Sequence, residues 1–346
     1  MTALKSIFDR YNLDGVYLSS RENILWATGL RCGYGFLIIL RDGTYFCTDD
    51  QMILKHGPGI SGVTCIDLNT AVLSSFLEEH AVKRLGYEDD NLSCRRYEHE
   101  KQEFFLHVQL YPVSGAIEGL RQIKEPKEIV SLVYAQKKNH LAYSYILKNV
   151  REGMTESELA LMIHTFFWNQ GIFEQSFEPI VLFGERTILG HEKPGMRQLE
   201  INEPVLVDFG CKHNGYCSDF ARTFFFGTED SEFTNVSCAV QQAYRTAISH
   251  MKPGIQGKEI DRHTRLALSG YENIYSDSLA HGVGVAVHEK PFVNKMCTSQ
   301  LEQDMVLSLE PSAIYKDCFC VRFEDLVRVT NEGAVNLVEF EQPLGV

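Results

Sequence analysis

The 346-residue sequence lacks any long hydrophobic run and any excess of basic residues. No stretch approaches the roughly 18 consecutive apolar residues that a transmembrane helix needs, so a membrane protein is not expected. The formal net charge of −13 argues against nucleic acid or an anionic membrane surface as a partner. The first residues resemble the start of an amphipathic helix and lack the apolar core of a signal peptide, which predicts a cytoplasmic protein.

The ten cysteines form no CxxC pair and no regular framework. Cys318 and Cys320 alternate on one predicted strand and are too closely spaced for an ordinary disulfide. Reduced, buried thiols are therefore expected. The sequence also has no GxxxxGK phosphate loop and no GxSxG elbow, and Gly282-Val283-Gly284 lacks the third glycine of a dinucleotide loop.

The length and the residue pattern predict two domains, residues 1–118 and residues 119–346. The boundary lies in residues 112–119, where proline, serine and glycine separate a strand from a long helical pattern. The first domain is predicted to be a small α/β domain. Its predicted elements are strands at 15–20, 35–50 (a hairpin turning at Asp42-Gly43) and 82–90, and helices at 69–83 and 95–107.

In the second domain, helices and paired strands alternate by blocks, which is an α+β signature. The first helix begins near Pro126, a position where the first helical turn tolerates proline. The next begins with the capping box Thr155-x-x-Glu158 and ends at Gly171. Two further helices are predicted at about 231–251 and 257–268.

Residues 204–227, PVLVDFGCKHNGYCSDFARTFFFG, carry the clearest local signal. β-Branched and aromatic residues alternate on both sides of Asn214-Gly215, a strong signal for a two-residue type I′ turn. The segment is therefore predicted to be a β-hairpin whose turn fixes the register.

This register places Asp219 opposite Gly210, two residues along from Asp208. The two carboxylates then face the same side of the sheet as diagonal neighbours, about 7–8 Å apart at Cα. Two carboxylates among apolar strands are costly unless a cation lies between them. The hairpin therefore predicts a metal or arginine partner, in preference to two ordinary turn or cap residues.

Further candidate ligands follow toward the C-terminus. Residues 279–293, LAHGVGVAVHEKPFV, contain His281, and residues 305–330 form a second pair of apolar strands that carries Glu310 and Glu324. Two aspartates, one histidine and two glutamates make a mostly oxygen set. Such a set suits Mn²⁺, Co²⁺, Fe²⁺ or Zn²⁺ in a two-metal site.

In order and context these residues resemble the pita-bread metallopeptidases, and most of all aminopeptidase P and prolidase, which cleave bonds before proline. Asp219 follows Asp208 by eleven positions, and HGVG, LEP and RFED surround the histidine and the two glutamates. RENILWATGL at residues 21–30 is similar to the N-terminal domain of the same enzymes, so the resemblance covers nearly the whole chain.

The resemblance implies a pita-bread catalytic domain preceded by a smaller α/β domain. It implies an exopeptidase that hydrolyses the N-terminal Xaa-Pro bond of peptides with a metal-bridging hydroxide. Two divalent ions are expected, with Mn²⁺ as the first choice, in a homodimer or tetramer. An Xaa-Pro dipeptidase is the alternative, and a non-catalytic peptide- or protein-binding module is a third reading that the complete ligand set disfavours.

For the metal ligands, the resemblance implies that Asp208 and Asp219 bind one ion. His281 and Glu310 would bind the other, and Glu324 would bridge the two ions together with Asp219. The two ions would acidify a bridging water, polarise the scissile carbonyl and hold both oxygens in place.

Five residues receive further roles from the same resemblance. Glu310 is expected to be the general base, and Asp208 to meet the substrate's α-amine as well as a metal. His288 would support the developing oxyanion and His191 would line the substrate pocket. Arg322 would hold neighbouring carboxylates ionised. Alone, each histidine would be read as an ordinary surface residue and the arginine as a strand-surface charge.

The sequence departs from the family pattern at three places. Leu279-Ala280 stand where Thr-Gly usually precedes the metal histidine, and Ala221 stands where threonine is usual. Ser312-Ala313 begin a segment after Glu310 that is one residue longer than the family's Gly-x-Tyr. These positions bear on metal preference and turnover more than on ligand geometry.

Overall fold

A computed structural model describes residues 2–31, 34–57, 59–228, 230–271, 273–274 and 278–340. The chain divides into two compact units, Met1–Arg121 and Gln122–Val346. The predicted domain ranges, 1–118 and 119–346, remain a proposal. Within the described ranges, no helix is long and apolar enough to cross a membrane.

The first unit is built on a twisted sheet of mixed strands in the order β4-β3-β2-β1-β5-β6. Its central strands β1 and β2 are antiparallel and buried along their whole length. The elements in chain order are α1 (Thr2–Tyr11), β1 (Gly15–Leu18), α2 (Arg21–Thr28), β2 (Phe36–Leu40), β3 (Thr44–Thr48), α3 (Gln51–His56), β4 (Val63–Asp67), α4 (Thr70–Glu79), β5 (Arg84–Tyr87), α5 (Cys94–Glu103), β6 (Gln109–Pro112) and α6 (Ala116–Arg121).

The predicted hairpin at Asp42-Gly43 is confirmed, because β2 and β3 pair antiparallel on either side of it. The prediction missed β4 and β6. Both are edge strands whose residues, apart from the buried Ile66, are half-buried or exposed, so their sequences lack a continuous apolar pattern. The short helix α3 was also missed; Asp50 caps it by accepting hydrogen bonds from two backbone N–H groups.

The second unit contains a large curved sheet with the strand path β14-β13-β15-β17-β11-β8-β7. One core packs α7 and α8 against β8 and β11, and two further cores involve α9 and α10. The elements are α7 (Pro126–Asn149), α8 (Glu156–Asn169), β7 (Ile180–Phe183), a 3₁₀ helix (Gly184–Leu189), β8 (Glu203–Phe209), β9 (Lys212–His213), β10 (Tyr216–Cys217), β11 (Phe220–Phe226), α9 (Ser231–His250), α10 (Gly257–Ala267), β12 (Asn273–Ile274), β13 (Ala280–Gly282), β14 (Glu289–Val293), β15 (Val306–Leu309), β16 (Ser312–Tyr315), β17 (Phe319–Thr330) and β18 (Gly333–Asn336).

The helix signals in this unit are confirmed. Pro126 occupies the first turn of α7. At α8 the Thr155 hydroxyl accepts a hydrogen bond from the Glu158 N–H, and the Glu158 carboxylate accepts one from the Thr155 N–H, which closes the predicted capping box. Gly171, just beyond α8, has a φ of 74°, a left-handed conformation that favours glycine.

The predicted turn between β9 and β10 is also confirmed. Asn214 and Gly215 have φ values of 51° and 83°, as a type I′ turn requires. Tyr216 pairs with His213, and Phe220 pairs with Phe209. Both pairs obey one register, which is the predicted one.

Between these two pairs the hairpin ladder is interrupted. The Ser218 hydroxyl accepts a hydrogen bond from the Cys211 N–H and donates one to the Cys211 carbonyl. A Cβ atom at Gly210 would lie 2.0 Å from the carbonyl oxygen of Ser218, so only glycine allows this approach. The chain can therefore bring Asp219 close to β8 without a side chain opposite it.

Candidate active site

Five adjacent strands of the second unit bring the predicted metal ligands together. β13, β15, β17, β11 and β8 are consecutive neighbours in the sheet. Each contributes one ligand, either from within the strand or from a residue flanking its end. The predicted ligands are His281 in β13, Glu310 directly after β15, Glu324 in β17, Asp219 directly before β11 and Asp208 in β8.

Ala221 explains how two of the carboxylates share one face. It pairs with Asp208 on one side and with Glu324 on the other. Cross-strand partners point to the same face of a sheet, so both acids and Asp219, two residues before Ala221, face one side. The methyl group of Ala221 lies between them, at a position where the resemblance led us to expect a threonine.

The ligand atoms of Asp219, His281 and Glu324 lie within 4.8 Å of one another. The imidazole Nε2 of His281 is 3.5 Å from Asp219 Oδ2 and 3.8 Å from Glu310 Oε1. Asp208 is held by an ion pair with Nη1 of Arg322, a fully buried guanidinium. The structure thus brings together all five predicted ligands and the predicted arginine.

Buried carboxylate oxygens in this cluster lack protein donors. Among the described residues, Asp208 Oδ1, Asp219 Oδ1 and Glu324 Oε2 have no hydrogen-bond partner, and the three residues are at most 5% exposed. Such groups are costly unless a cation satisfies them. Carboxylate oxygens with one imidazole nitrogen form the donor set that divalent transition metals accept, so the residues present fit a metal site.

The ionisation equilibria agree with a cation site. Burial raises the pKa of Asp219 well above its usual value, and the nearby carboxylates Glu324, Asp208 and Glu310 raise it further. Burial also raises the pKa of Glu310 to about 7, against the opposing effect of Arg322. The pKa of Glu324 is raised well above normal, first by burial and then by Asp208 and Glu310. The positive charge of one arginine therefore does not balance the negative charges that these acids would carry.

His281 is kept neutral, as metal ligation requires. Burial lowers its pKa to about 4, and His288, whose ring centroid lies 4.5 Å away, adds to the effect. Burial also lowers the pKa of His288 and of His191, although Asp208 partly opposes it at His288.

These shifts predict how the stability of the metal-free protein depends on pH. A carboxyl whose pKa is raised by folding makes the folded state less stable as pH rises from its unfolded pKa through its folded pKa. The histidines, whose pKa values folding lowers, make the folded state more stable as pH rises. This effect is confined to pH values below about 6.5, where unfolded histidines titrate. We therefore expect the free energy of unfolding to fall between about pH 6.5 and 8, through Glu310, Asp219 and Glu324.

Urea unfolding of chelator-treated protein at several pH values measures this dependence. Saturating Mn²⁺ should remove most of the decline, because a bound cation favours the ionised carboxylates. A flat or rising free energy of unfolding over the same range without metal would contradict the expectation.

The site opens into a cavity of about 290 Å³. Its lining joins the ligand cluster to His191, His288 and two loops: Phe177, Glu178, Pro179, Ile180, His191, Glu192, Lys193, Pro194, Asp208, Asp219, His281, His288, Glu310 and Glu324. All seven predicted residues other than Arg322 therefore line one cavity, and Arg322 contacts it through Asp208.

The sequence interpretation missed residues that support the cluster from behind. The Ser308 hydroxyl donates to Glu324 Oε1 at 2.7 Å. Asp325, on the opposite face of the strand from Glu324, accepts hydrogen bonds from Arg222 Nη2 at 2.7 Å and from Gln136 Nε2 at 2.6 Å, and its Oδ1 lies 3.0 Å from His140 Nε2. Polar residues within apolar strands were the available signal, the same signal that marked Asp208.

Arg222 connects these supporting residues to β17, the strand that carries Glu324. Its guanidinium lies between the rings of Phe220 and Phe323, at 4.3 Å and 3.7 Å from the ring centroids. It also donates to the carbonyl oxygen of Glu324. The backbone that carries the Glu324 carboxylate is thus fixed by a charged group on the far side of the sheet.

Two protein-family models match the chain. Metallopeptidase family M24 matches residues 131–331, and the Creatinase/Prolidase N-terminal domain matches residues 1–123. The chain belongs to metallopeptidase family M24. It is therefore a peptidase, with the α+β pita-bread fold that the sequence predicted, and M24 metallopeptidases use divalent metal ions.

Similar proteins cover almost the whole M24 chain. An uncharacterized peptidase of Bacillus subtilis (strain 168) is 30% identical over 335 residues, which are 95% of each chain. An Xaa-Pro dipeptidase from Bacillus anthracis has a TM-score of 0.93 and 27% identity, and covers 100% of this chain and 98% of that one. The prolidase from Pyrococcus horikoshii OT3 has a TM-score of 0.89 and 25% identity, with 99% of both chains covered. The predicted relationship to aminopeptidase P and prolidase is confirmed.

Proposed function

We propose that this M24 peptidase is a metal-dependent exopeptidase that hydrolyses the N-terminal Xaa-Pro bond of peptides, as aminopeptidase P does. One observation carries the proposal: five ligands from adjacent strands and two histidines line a single cavity. An Xaa-Pro dipeptidase is the second candidate, because a solved structure similar over the whole chain is an Xaa-Pro dipeptidase.

Asp208, Asp219, His281, Glu310 and Glu324 would hold two divalent ions. We propose Mn²⁺ first, with Co²⁺, Zn²⁺ or Fe²⁺ as alternatives that the same ligands accept. When bound, such ions supply an acidified water molecule and polarise the scissile carbonyl. Bidentate or bridging carboxylates would use the oxygens of Asp208, Asp219 and Glu324 that lack protein donors.

Glu310 would act as the general base. Its carboxyl lies beside the ligand cluster, 3.8 Å from His281 Nε2. From this position it can accept the proton of the attacking water and pass it to the leaving proline nitrogen. Asp208 would also accept a hydrogen bond from the substrate's protonated α-amine.

His288, His191 and Arg322 would handle charge around the substrate. His288 lies beside His281 and would donate a hydrogen bond to the scissile carbonyl oxygen as charge develops there. His191, which also lines the cavity, would contact the substrate. Arg322 would favour the ionised form of Asp208, because its positive charge opposes burial, which raises the pKa of this carboxyl.

Self-association as a homodimer or tetramer in the cytoplasm is a further proposal. Exposed apolar side chains recur along one face of α7, at Val130, Tyr134, Leu141 and Tyr145. Their spacings of four and seven residues form one helical stripe, and exposed apolar stripes mark interaction surfaces.

A substrate series tests the function. Chelator-treated protein is reloaded with Mn²⁺ and assayed on Ala-Pro, Ala-Pro-Ala and Ala-Ala-Ala. We expect metal-dependent release of the first alanine from Ala-Pro-Ala, and no cleavage of the peptide without proline. Cleavage of Ala-Pro alone would establish the dipeptidase instead. Metal binding without any turnover would indicate a peptide-binding module.

A further inference from the structure

Most charged side chains in the cavity lining are acidic. Its lining contains the carboxylates of Glu178, Glu192, Asp208, Asp219, Glu310 and Glu324. Among the described residues that line it, Lys193 is the only lysine or arginine. With the acids of the ligand cluster assigned to metal ions, Lys193 is the side chain of this lining that can offer a fixed positive charge to the negative end of a substrate.

The two ends of the cavity differ in burial. Asp208, Asp219 and His281 are at most 5% exposed, which places the ligand cluster at the closed end. Lys193 Nζ lies 3.4 Å from Glu178 Oε2, and both side chains are 80% exposed, which places this pair at the mouth. A short peptide is positive at its α-amine and negative at its carboxylate. Because the scissile bond must reach the ligand cluster at the closed end, the carboxylate of a short peptide would lie toward the mouth, where Lys193 is located.

The ion pair at the mouth is easily exchanged. Exposed lysine–carboxylate pairs contribute little to stability, because solvent screens them and both side chains lose freedom. Lys193 can therefore leave Glu178 for a substrate carboxylate at little cost. Glu178 then acts as a competitor that an incoming carboxylate must displace.

The backbone that carries Lys193 is well fixed. The carboxylate of Glu156, at the start of α8, is fully buried and accepts hydrogen bonds from the Gly195 N–H at 2.7 Å, the Phe183 N–H at 3.0 Å and Arg186 Nε at 3.0 Å. Arg186 also donates to the carbonyl oxygen of Lys193. Glu156 thus connects the loop that carries Lys193 to the end of β7. The exposed Lys193 side chain therefore extends from a backbone that hydrogen bonds hold in place.

We propose that Lys193 binds the free C-terminal carboxylate of a short peptide substrate, with Glu178 as its partner in the unliganded enzyme. The inference rests on the proposed function and narrows its substrate class to di- and tripeptides with a free carboxylate, over amidated or long peptides. Lys193 is a specificity residue at the mouth and takes no part in bond cleavage.

The test compares free acids with amides on the Mn²⁺-loaded full chain. Kinetics are measured for Ala-Pro, Ala-Pro-amide, Ala-Pro-Ala and Ala-Pro-Ala-amide with the wild type, Lys193→Gln and Glu178→Gln. Lys193→Gln should raise KM for a free acid roughly 2- to 5-fold, the range for losing an exposed charged contact, with kcat and the KM of the amide almost unchanged. Glu178→Gln should lower KM for the same free acid, because it removes the competitor. If KM changes more for the free dipeptide than for the free tripeptide, or the reverse, the more strongly affected substrate has the length that Lys193 recognises.

Lys252→Gln, which removes an exposed lysine outside the cavity lining, is the matched control and should change KM for neither the free acids nor the amides. Equal effects of Lys193→Gln on free acids and amides, or no effect on either, would overturn the proposal. So would a raised KM for free acids in Glu178→Gln. Failure of the proposed function looks different, since the wild type would then hydrolyse none of the four substrates.

Discussion

Replacing Asp219 with asparagine should abolish peptidase activity and, at the same time, make the metal-free protein more stable at pH 7.5. Asp219 has an oxygen without a protein donor and lies among Glu324, Asp208 and Glu310, which raise its pKa well above normal after burial has done so. Because folding opposes the ionisation of this carboxyl, it destabilises the metal-free fold at this pH. Asparagine has no group to ionise, so we expect the substitution to add roughly 1–3 kcal/mol to the free energy of unfolding.

With metal the same substitution should have the opposite consequence. A ligand that binds only the folded state adds about 2.7 kcal/mol at a concentration 100 times its Kd. Asp219→Asn should lose most of this gain, because an amide oxygen is a weak substitute for a carboxylate. We expect kcat/KM to fall by at least about 10³-fold, more than the 10- to 100-fold typical of groups that only support a ligand. Thermal unfolding with and without Mn²⁺, metal content and Ala-Pro hydrolysis measure these effects.

Asp325→Asn is the matched control, because Asp325 is equally buried but paired. Burial would raise its pKa, yet Arg222 and His140 outweigh burial and lower it. Breaking a buried pair typically costs about 3–5 kcal/mol, so this variant should be less stable both with and without metal. If Asp219→Asn also destabilised the metal-free protein, or kept the full stabilisation by Mn²⁺, the assignment of Asp219 as a metal ligand would be wrong.

The hairpin register could be predicted because turn chemistry and strand period act locally. Asn214-Gly215 admits few conformations, and a period of two then decides which residues face Asp208. No short-range sequence pattern predicts that the candidate ligands in distant strands lie together. Their convergence was anticipated from a family resemblance, and the order of the strands became known only from the fold.

The supporting network and the mouth of the cavity were not predictable. His140, Arg222 and Asp325 come from one helix and two strands that are far apart in sequence, and no short-range pattern relates them. Glu178 and Lys193 lie on irregular loops, where charged residues are common for reasons of solubility alone. Only the shared cavity distinguishes them from ordinary surface charges.

Replacing Glu310 with glutamine should separate proton transfer from metal binding. Glu310 lies directly after β15 beside the cluster, whereas the ligand atoms within 4.8 Å of one another belong to Asp219, His281 and Glu324. Metal should therefore still bind to Glu310→Gln, with reduced affinity. Glutamine cannot accept the proton of the attacking water, and a positioned general base typically contributes about 10²–10⁴-fold. We expect kcat to fall within that range, with a smaller change in KM.

Measuring kcat, KM and Mn²⁺ content across pH decides between base and ligand. Without metal, burial sets the pKa of Glu310 at about 7, and a bound cation should lower it. Wild-type activity should therefore decline as pH falls through a value below 7, and the residual activity of Glu310→Gln should not share that dependence. Glu302→Gln, an exposed glutamate nearby in sequence, should behave as the wild type. If Glu310→Gln lost metal and activity in parallel, Glu310 would act only as a metal ligand. If the variant kept a near-normal kcat, another residue of the cavity would be the general base.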